Sequence, residues 1–209
     1  MVLPKRRRQH ARLREVVASH DGAGREHACH TNDVSEQAFE ITASAVKDGP
    51  TTTSARRDAP STIHGVEHHE LPSVATRSGV TIEAYRGSWS AAMSSLAEFV
   101  HVTFRPGAIS AWHLHRLRCD GVFVLAGTMR LVLFDARRAS PTKGLVDVLE
   151  LSPSRPALVV IPPAVWHGVQ ALGAEPMTFL NCFDRAYDHD DPDEWRLPPD
   201  SDEVPYRFS

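Results

Sequence analysis

From residue 62 onward the sequence is a succession of short apolar runs cut apart by turn residues, and that rhythm constrains the fold more than any other feature. "VTIEAYR" (80–86), "EFVHVTF" (98–104), "GVFVLAG" (121–127) and "MRLVLFD" (129–135) are long enough for strands and too short for ordinary helices. "LVDVLEL" (145–151), "ALVVIP" (157–162), "WHGVQAL" (166–172) and "MTFLNCF" (177–183) continue the series. Val, Leu, Phe and Thr fill the runs, side chains that suit a pleated, half-buried surface. "RPGA", "AGT", "SPTKG", "LSPSRP" and "LGAEP" supply glycine and proline between them. No helical period of useful length interrupts this. The reading is an all-β domain over residues 61–209, an antiparallel sandwich or barrel. The closing run "DPDEWRLPPDSDEVPYRF" is rich in Pro and Asp and reads as loop and short turns over the surface.

Residues 1–60 have another grammar. "HDGAGREHACHTNDVSEQ" and "KDGPTTTSARRDAPST" are polar and poor in large apolar side chains. Such a segment buries too little surface to offset its ordering entropy, so it reads as a disordered arm. Within it "SEQAFEITASAV" (35–46) is a candidate short helix, "HACH" (27–30) an incidental cluster, and Lys5–Arg14 a solvated basic tail. The net charge of −3 gives no support to nucleic-acid binding. No apolar run approaches a membrane span, and the basic start lacks the apolar stretch of a secretory signal. Cys29, Cys119 and Cys182 are odd in number and far apart, which points to a reducing, cytoplasmic setting.

The chemistry concentrates in "GAISAWHLHRLRCDGVFVLAG" (107–127). On a strand, residues i and i+2 face the same side, so His113 and His115 point one way, into the barrel, and Trp112 and Leu114 the other. Asp120 follows, and "IPPAVWHG" brings His167 from a later strand. His113, His115, Asp120 and His167 converging in a barrel mouth are a candidate site for a divalent metal such as Zn, Fe, Mn or Ni. The other reading is a histidine base in a polar pocket without metal. Trp112 and Trp166 read as packing residues on the outer face. Cys119 reads as a small apolar residue, and the acids of "DHDDPDE" (188–194) as a solvated turn.

The spacing of Gly107, His113, His115, Asp120 and Gly127, followed by Pro162 and His167, resembles the two signature motifs of the cupin superfamily. Asp120 stands where Glu is usual and Ala164 where Gly is usual. More closely, the chain over about residues 64–206 resembles the dTDP-4-dehydrorhamnose 3,5-epimerases. "FDARRASPTKG" is similar to that family's "D-x-R-x-x-S-P-T-x-G", "IPPAVWHG" to its "I-P-x-G-F-A-H-G", and "AWHLH" falls where it has "R-G-L-H-x-Q". "GVTIEAYR" is similar to its early "R-G-x-x-x-E-x-F".

The resemblance implies a jelly-roll homodimer that uses no cofactor and acts by acid–base chemistry on a nucleotide-linked 4-keto sugar. It makes His113 the base, Tyr187 the acid returning a proton on the other face, and Asp202 (or Asp200) the carboxylate that orients the base. Glu83, His115, Arg137, His167 and Asn181 become substrate-binding residues. Dimerisation falls on the strands around "VTIEAYR", where Tyr85 and Trp89 look too apolar to stay exposed. The chain also departs from the pattern: Ser78 and Ser110 stand in place of arginines, Asp120 near the family's lysine, Asn181 in place of a tyrosine, and His115 in place of a glutamine. Two alternatives follow, a metal-dependent cupin enzyme with a His/His/Asp/His site, and a non-catalytic cupin that binds a sugar or other small molecule.

Overall fold

The structure is a computed structural model that describes residues 57–59 and 61–209. The expectations for residues 1–56, including the arm, the helix over 35–46 and the "HACH" fragment, lie outside the described residues. The described chain is all β. Thirteen strands form two large antiparallel sheets and one small hairpin. The six-stranded sheet runs β1 (Arg57–Ala59), β2 (Glu67–Glu70), β10 (Ala157–Ile161), β7 (Asp120–Ala126), β12 (Met177–Phe183), β5 (Glu98–Phe104). The five-stranded sheet runs β13 (Trp195–Arg196), β6 (Ile109–Leu114), β11 (Trp166–Leu172), β8 (Thr128–Phe134), β9 (Val146–Leu151). β3 (Ser73–Thr76) and β4 (Gly79–Ile82) make the separate hairpin. None of the described residues forms a helix long and apolar enough to cross a membrane.

The two sheets face each other over a core built by alternation. Val122 and Val124 of β7, Leu131 and Leu133 of β8, and Val159 and Ile161 of β10 meet there. β5 shows the period most plainly, with Glu98, Val100, Val102 and Phe104 turned in and Phe99, His101 and Thr103 turned out. β10 shows none, since all five of its residues are buried. Its outward residues Leu158 and Val160 lie under Ile82, Tyr85, Trp89 and Met93, which cover the six-stranded sheet from outside. Tyr85 and Trp89 are therefore packed within their own chain, with the Tyr85 hydroxyl donating to the Met93 carbonyl at 2.5 Å. The expected strand over 80–86 ends at Ile82 because the chain turns there to lie across the sheet.

The outer face of the five-stranded sheet is covered by the C-terminal residues. The sequence places these in a surface loop, but Val204 is 1% exposed and Tyr206 and Phe208 close edge-on and tilted against Trp112, itself fully buried. Trp166 joins the same cluster, so both tryptophans do face away from the barrel interior. Gly168 makes the contact possible, because a Cβ there would lie 2.8 Å from the Phe208 ring and 2.6 Å from Ala111. β1 and β13 escape sequence reading because they are only three and two residues long; backbone pairing to β2 and β6 holds them.

β7 and β8 are consecutive yet belong to different sheets, so the single residue between them, Gly127, turns the chain from one sheet to the other. It does so at φ +75°, and a Cβ would meet the Pro176 carbonyl oxygen at 2.8 Å and Met177 Cα at 2.9 Å, both backbone atoms. Gly127→Ala is therefore expected to cost about 2–4 kcal/mol, the sum of the unfavourable dihedral and the overlap. Thermal unfolding should show a Tm lower by roughly 5–15 °C. Gly107, at φ +73° with open space around its Cβ position, is the control: Gly107→Ala should cost only the dihedral, about 1–2 kcal/mol. Equal losses at the two positions would contradict this account.

Candidate active site

A cavity of about 370 Å³ opens between the sheets. One end is apolar, lined by Val100, Val102, Phe104, Val122 and Phe179. The other carries the ionisable groups. The strand registers explain the division. Phe183 pairs with Asp120 and Glu98, Asn181 with Val122 and Val100, and Phe179 with Val102, so each step of two along β12 moves deeper into the apolar end.

His113 on β6 and His115, one residue past its end, both line this cavity. The pairing of β11 with β6 brings His167 opposite His113, with ring centroids 5.8 Å apart and nearly parallel. His115 stands 5.3 Å from His167, centroid to centroid. Tyr187 and Asn181 line the same cavity from the six-stranded side.

Glu83, Arg137 and the carboxylate expected to orient the base, Asp202 or Asp200, do not. Asp202 is exposed and pairs with Arg207. Asp200 is also exposed. Glu83 forms an exposed ion pair with Arg86 at 2.8 Å, outside the cavity of its own chain. Arg137 is spent on structure: it donates to Asp135 at 2.9 Å and to the His64 carbonyl at 2.6 Å. Asp135 also accepts from the Ser140 hydroxyl at 2.5 Å and the Thr142 hydroxyl at 2.6 Å, and Arg137 first and these hydroxyls with it hold its carboxyl well below the usual carboxylate range. The "SPT" turn thus clamps the residues that lead into the barrel.

The carboxylate that orients His113 is Glu194. Its Oε1 lies 2.8 Å from His113 Nδ1, and that hydrogen bond is the main reason its carboxyl is pulled down to about 2. The short β13 makes the contact: Trp195 pairs with Leu114 and Arg196 with His113, which turns Glu194 inward. The other ring nitrogen, Nε2, meets the Ser110 hydroxyl at 2.8 Å. The acids 188–194 are therefore not merely a solvated turn. Asp193 accepts from the backbone N–H groups of Arg116 and Leu117, and its carbonyl accepts from His115 Nδ1 at 2.6 Å.

Asp120 is 2% exposed at the centre of the polar end. Its Oδ2 lies 3.4 Å from His115 Nε2 and 3.5 Å from His167 Nε2, and its Oδ1 lies 3.6 Å from Arg118 Nε. Burial alone would raise its pKa, but His115, His167 and Arg118 outweigh burial and lower it. The same pair raises His115 despite its own burial. His167 is governed by burial, which pushes it down to about 4. Cys119, next to Asp120, sits in an apolar cluster, and burial pushes its thiol up to about 11, which keeps it from acting as a nucleophile.

His115, Asp120 and His167 present ligand atoms within 4.8 Å of one another, the spacing of a metal centre. The fourth predicted ligand, His113, has both nitrogens engaged by Glu194 and Ser110. Arg118 matters more. It is 5% exposed and lies 3.4 Å from His115 Nε2 as well as 3.6 Å from Asp120. A guanidinium, always charged, already neutralises the carboxylate, and a divalent ion beside it would be repelled. The residues do not fit a metal while Arg118 holds that place. Neither Arg118 nor Glu194 was picked out by spacing. Arg118 lies on the loop that leads into Asp120, where no strand period fixes a direction; Glu194 is one acid among several in its run.

A jelly roll with an imidazole–carboxylate pair in a cavity between its sheets defines a cupin equipped for acid–base chemistry. The model of the dTDP-4-dehydrorhamnose 3,5-epimerase family matches residues 60–202, and the chain belongs to that family, whose members are sugar isomerases. It is 33% identical over 140 residues to the probable low-salt glycan biosynthesis epimerase Agl13 of Haloferax volcanii, a match covering 66% of this chain and 89% of that one. It is 36% identical over 104 residues to the spore coat polysaccharide biosynthesis protein SpsL of Bacillus subtilis, covering 50% and 69%. The crystal structure of a dTDP sugar isomerase from Desulfovibrio desulfuricans superposes with a TM-score of 0.64 at 29% identity, covering 69% of this chain and 91% of that one.

The ionisation states predict how stability follows pH. Glu194 titrates near 2 in the folded chain against an ordinary 4.5, so its contribution is full above 4.5 and is lost as pH falls toward 2. His167 titrates near 4 against 6.5, so the unfolded chain takes up a proton that the folded chain refuses, and stability falls as pH drops from 6.5 to 4. His115 is raised and works in the opposite sense, fading as pH rises through its folded pKa. In Tm measured against pH, His167→Gln should flatten the slope between 4 and 6.5, and Glu194→Gln the slope between 2 and 4.5. Unchanged slopes would refute these assignments.

Proposed function

We infer that the chain epimerises a nucleotide-linked 4-keto sugar by removing and returning a proton on a carbon next to the ketone. The observation that carries this reading is the Ser110–His113–Glu194 line. Glu194 fixes the proton on Nδ1 and leaves Nε2 facing the cavity, where a C–H of the sugar replaces the Ser110 hydroxyl. His113 takes the proton, and the electron pair moves onto the carbonyl oxygen as an enolate. Tyr187, on the opposite side of the cavity, returns a proton to the other face and inverts the centre. His115, His167 and Asn181 line the bound ring, and the apolar end suits a methyl substituent. No cofactor takes part in these steps. The glycan- and coat-polysaccharide roles in the names of Agl13 and SpsL support a place in polysaccharide synthesis. Two buried free thiols, Cys119 and Cys182, fit a reducing cytoplasm.

We also infer a homodimer. With Tyr85 and Trp89 packed at home, its support moves to Val80 on the β3–β4 hairpin and Phe99 on the edge strand β5, 63% and 61% exposed. Light scattering at micromolar concentration should give twice the chain mass, and Val80→Asp together with Phe99→Asp should halve it. A monomer in the unsubstituted chain removes the proposal.

The chemistry is tested with a dTDP-4-keto-6-deoxy sugar in heavy water. Solvent deuterium should appear at C3, C5 or both. His113→Ala should slow this by about 10²–10⁴-fold, the usual contribution of a positioned base, and Glu194→Gln by at least about tenfold for want of the right tautomer. Tyr187→Phe should keep deuterium wash-in but lose inverted product. Exchange by His113→Ala at the rate of the unsubstituted chain would sink the mechanism.

A further inference from the structure

The guanidinium of Arg118 stands inside a cluster whose other members are metal ligands by type and spacing. We propose that Arg118 is the resident cation of the His115–Asp120–His167 cluster, filling the place of a divalent ion and taking up the negative charge that develops on the substrate's carbonyl oxygen.

Four observations carry this. Arg118 is buried beside a buried carboxylate, so its charge acts in a medium of low dielectric and is not dispersed by water. Its distances, 3.4 Å to His115 Nε2 and 3.6 Å to Asp120 Oδ1, set it against two of the three ligand residues, and it reaches Glu194 Oε2 at 3.5 Å. None of those contacts is short, and Arg118 Nε and Asp120 Oδ1 are both buried with no hydrogen-bond partner, so the fork is held by charge and is not saturated by its neighbours. The fork is also fixed in plane, with its carbon 4.3 Å from the centre of the Phe183 ring and 5.5 Å from that of Tyr187, the ring assigned above as the acid. A cation so placed lies in the same cavity as His113 and Tyr187, where the enolate forms. This also resolves the charge at Asp120. A carboxylate near the enolate would oppose the reaction by itself; holding Arg118, it supplies the positive end.

The enolate role rests on the epimerase reading; the resident-cation role does not, and the experiment separates them. The full-length chain and its Arg118→Ala and Arg118→Met variants are titrated with Co²⁺ and Zn²⁺, following visible absorption for cobalt and Tm for zinc. The unsubstituted chain should bind no stoichiometric metal. Arg118→Ala should take up one equivalent of Co²⁺ with the absorption of a nitrogen and oxygen ligand set, and Zn²⁺ should raise its Tm by several degrees. Adding Asp120→Asn should abolish the uptake. Arg118→Met keeps the apolar contact with Phe183 and serves if Arg118→Ala, left with an uncompensated carboxylate, does not fold. Stoichiometric metal in the unsubstituted chain, or no uptake by either folded variant, overturns the resident-cation assignment. In the heavy-water assay Arg118→Lys should retain part of the exchange and Arg118→Met should lose about 10²–10³-fold in kcat, the scale of one charge-stabilising donor, with partial rescue by added guanidinium ion. Full exchange by Arg118→Met would overturn the enolate role. Failure of exchange in the unsubstituted chain would instead remove the epimerase reading, and the enolate role with it, leaving the metal titration to decide the rest.

Discussion

A carboxylate with 2% of its surface exposed stays ionised between two β-sheets only if cations and hydrogen-bond donors surround it, and Asp120 imposes that demand on everything near it. Four groups from three parts of the chain answer it: Arg118 two residues upstream, His115 just past β6, His167 on β11 and Asn181 on β12. The cost of burying the charge is thereby spread over partners that also line the cavity. The arrangement makes the site rigid in one respect and open in another. Asp120 is hemmed in, while Arg118 reaches past it to Glu194, the hydrogen-bond partner of His113. The buried carboxylate and the carboxylate bonded to His113 are linked by one guanidinium.

The barrel can hold such a centre because both sheets are covered on their outer faces. β10 is apolar on both sides since residues 82–93 lie over one and the core under the other. The C-terminal residues do the same for the five-stranded sheet through Trp112 and Phe208. Their route has a functional consequence. Trp112 exchanges backbone hydrogen bonds with Leu197, and this tie continues the β13 pairing that sets Glu194 against His113. Packing on the outside of the sheet thus holds the carboxylate on the inside.

How much of this the sequence discloses follows from the range of each interaction. The central strands were legible because their alternation or apolar continuity spans five to seven residues, enough for period to show. His113 and His115 were legible because a two-residue step on a strand fixes a shared direction whatever the tertiary context, and His167 because its turn resembles a known motif. What could not be read was the identity of charged partners. Glu194 lies 81 residues from His113 in the chain, and nothing local distinguishes it from Asp200 or Asp202, both of which remain at the surface. Arg137 shows the opposite limit. It matches the family's motif, but its contacts in this chain are to Asp135 and the His64 carbonyl, and conformity to a pattern does not say whether a residue meets substrate or backbone.

An acid near the family's lysine is intelligible once charge is counted over the cluster instead of position by position. Electrostatic stabilisation depends on where the positive charge sits relative to the oxygen, not on which strand residue carries it. Arg118 carries its charge on the loop between β6 and β7, and its long side chain reaches the cavity. A guanidinium in that place needs a fixed counter-charge or it would swing to solvent, and Asp120 provides one at 3.6 Å. In the proposed role the acid and the arginine work as a pair, Arg118 carrying the positive charge and Asp120 holding it in the cavity.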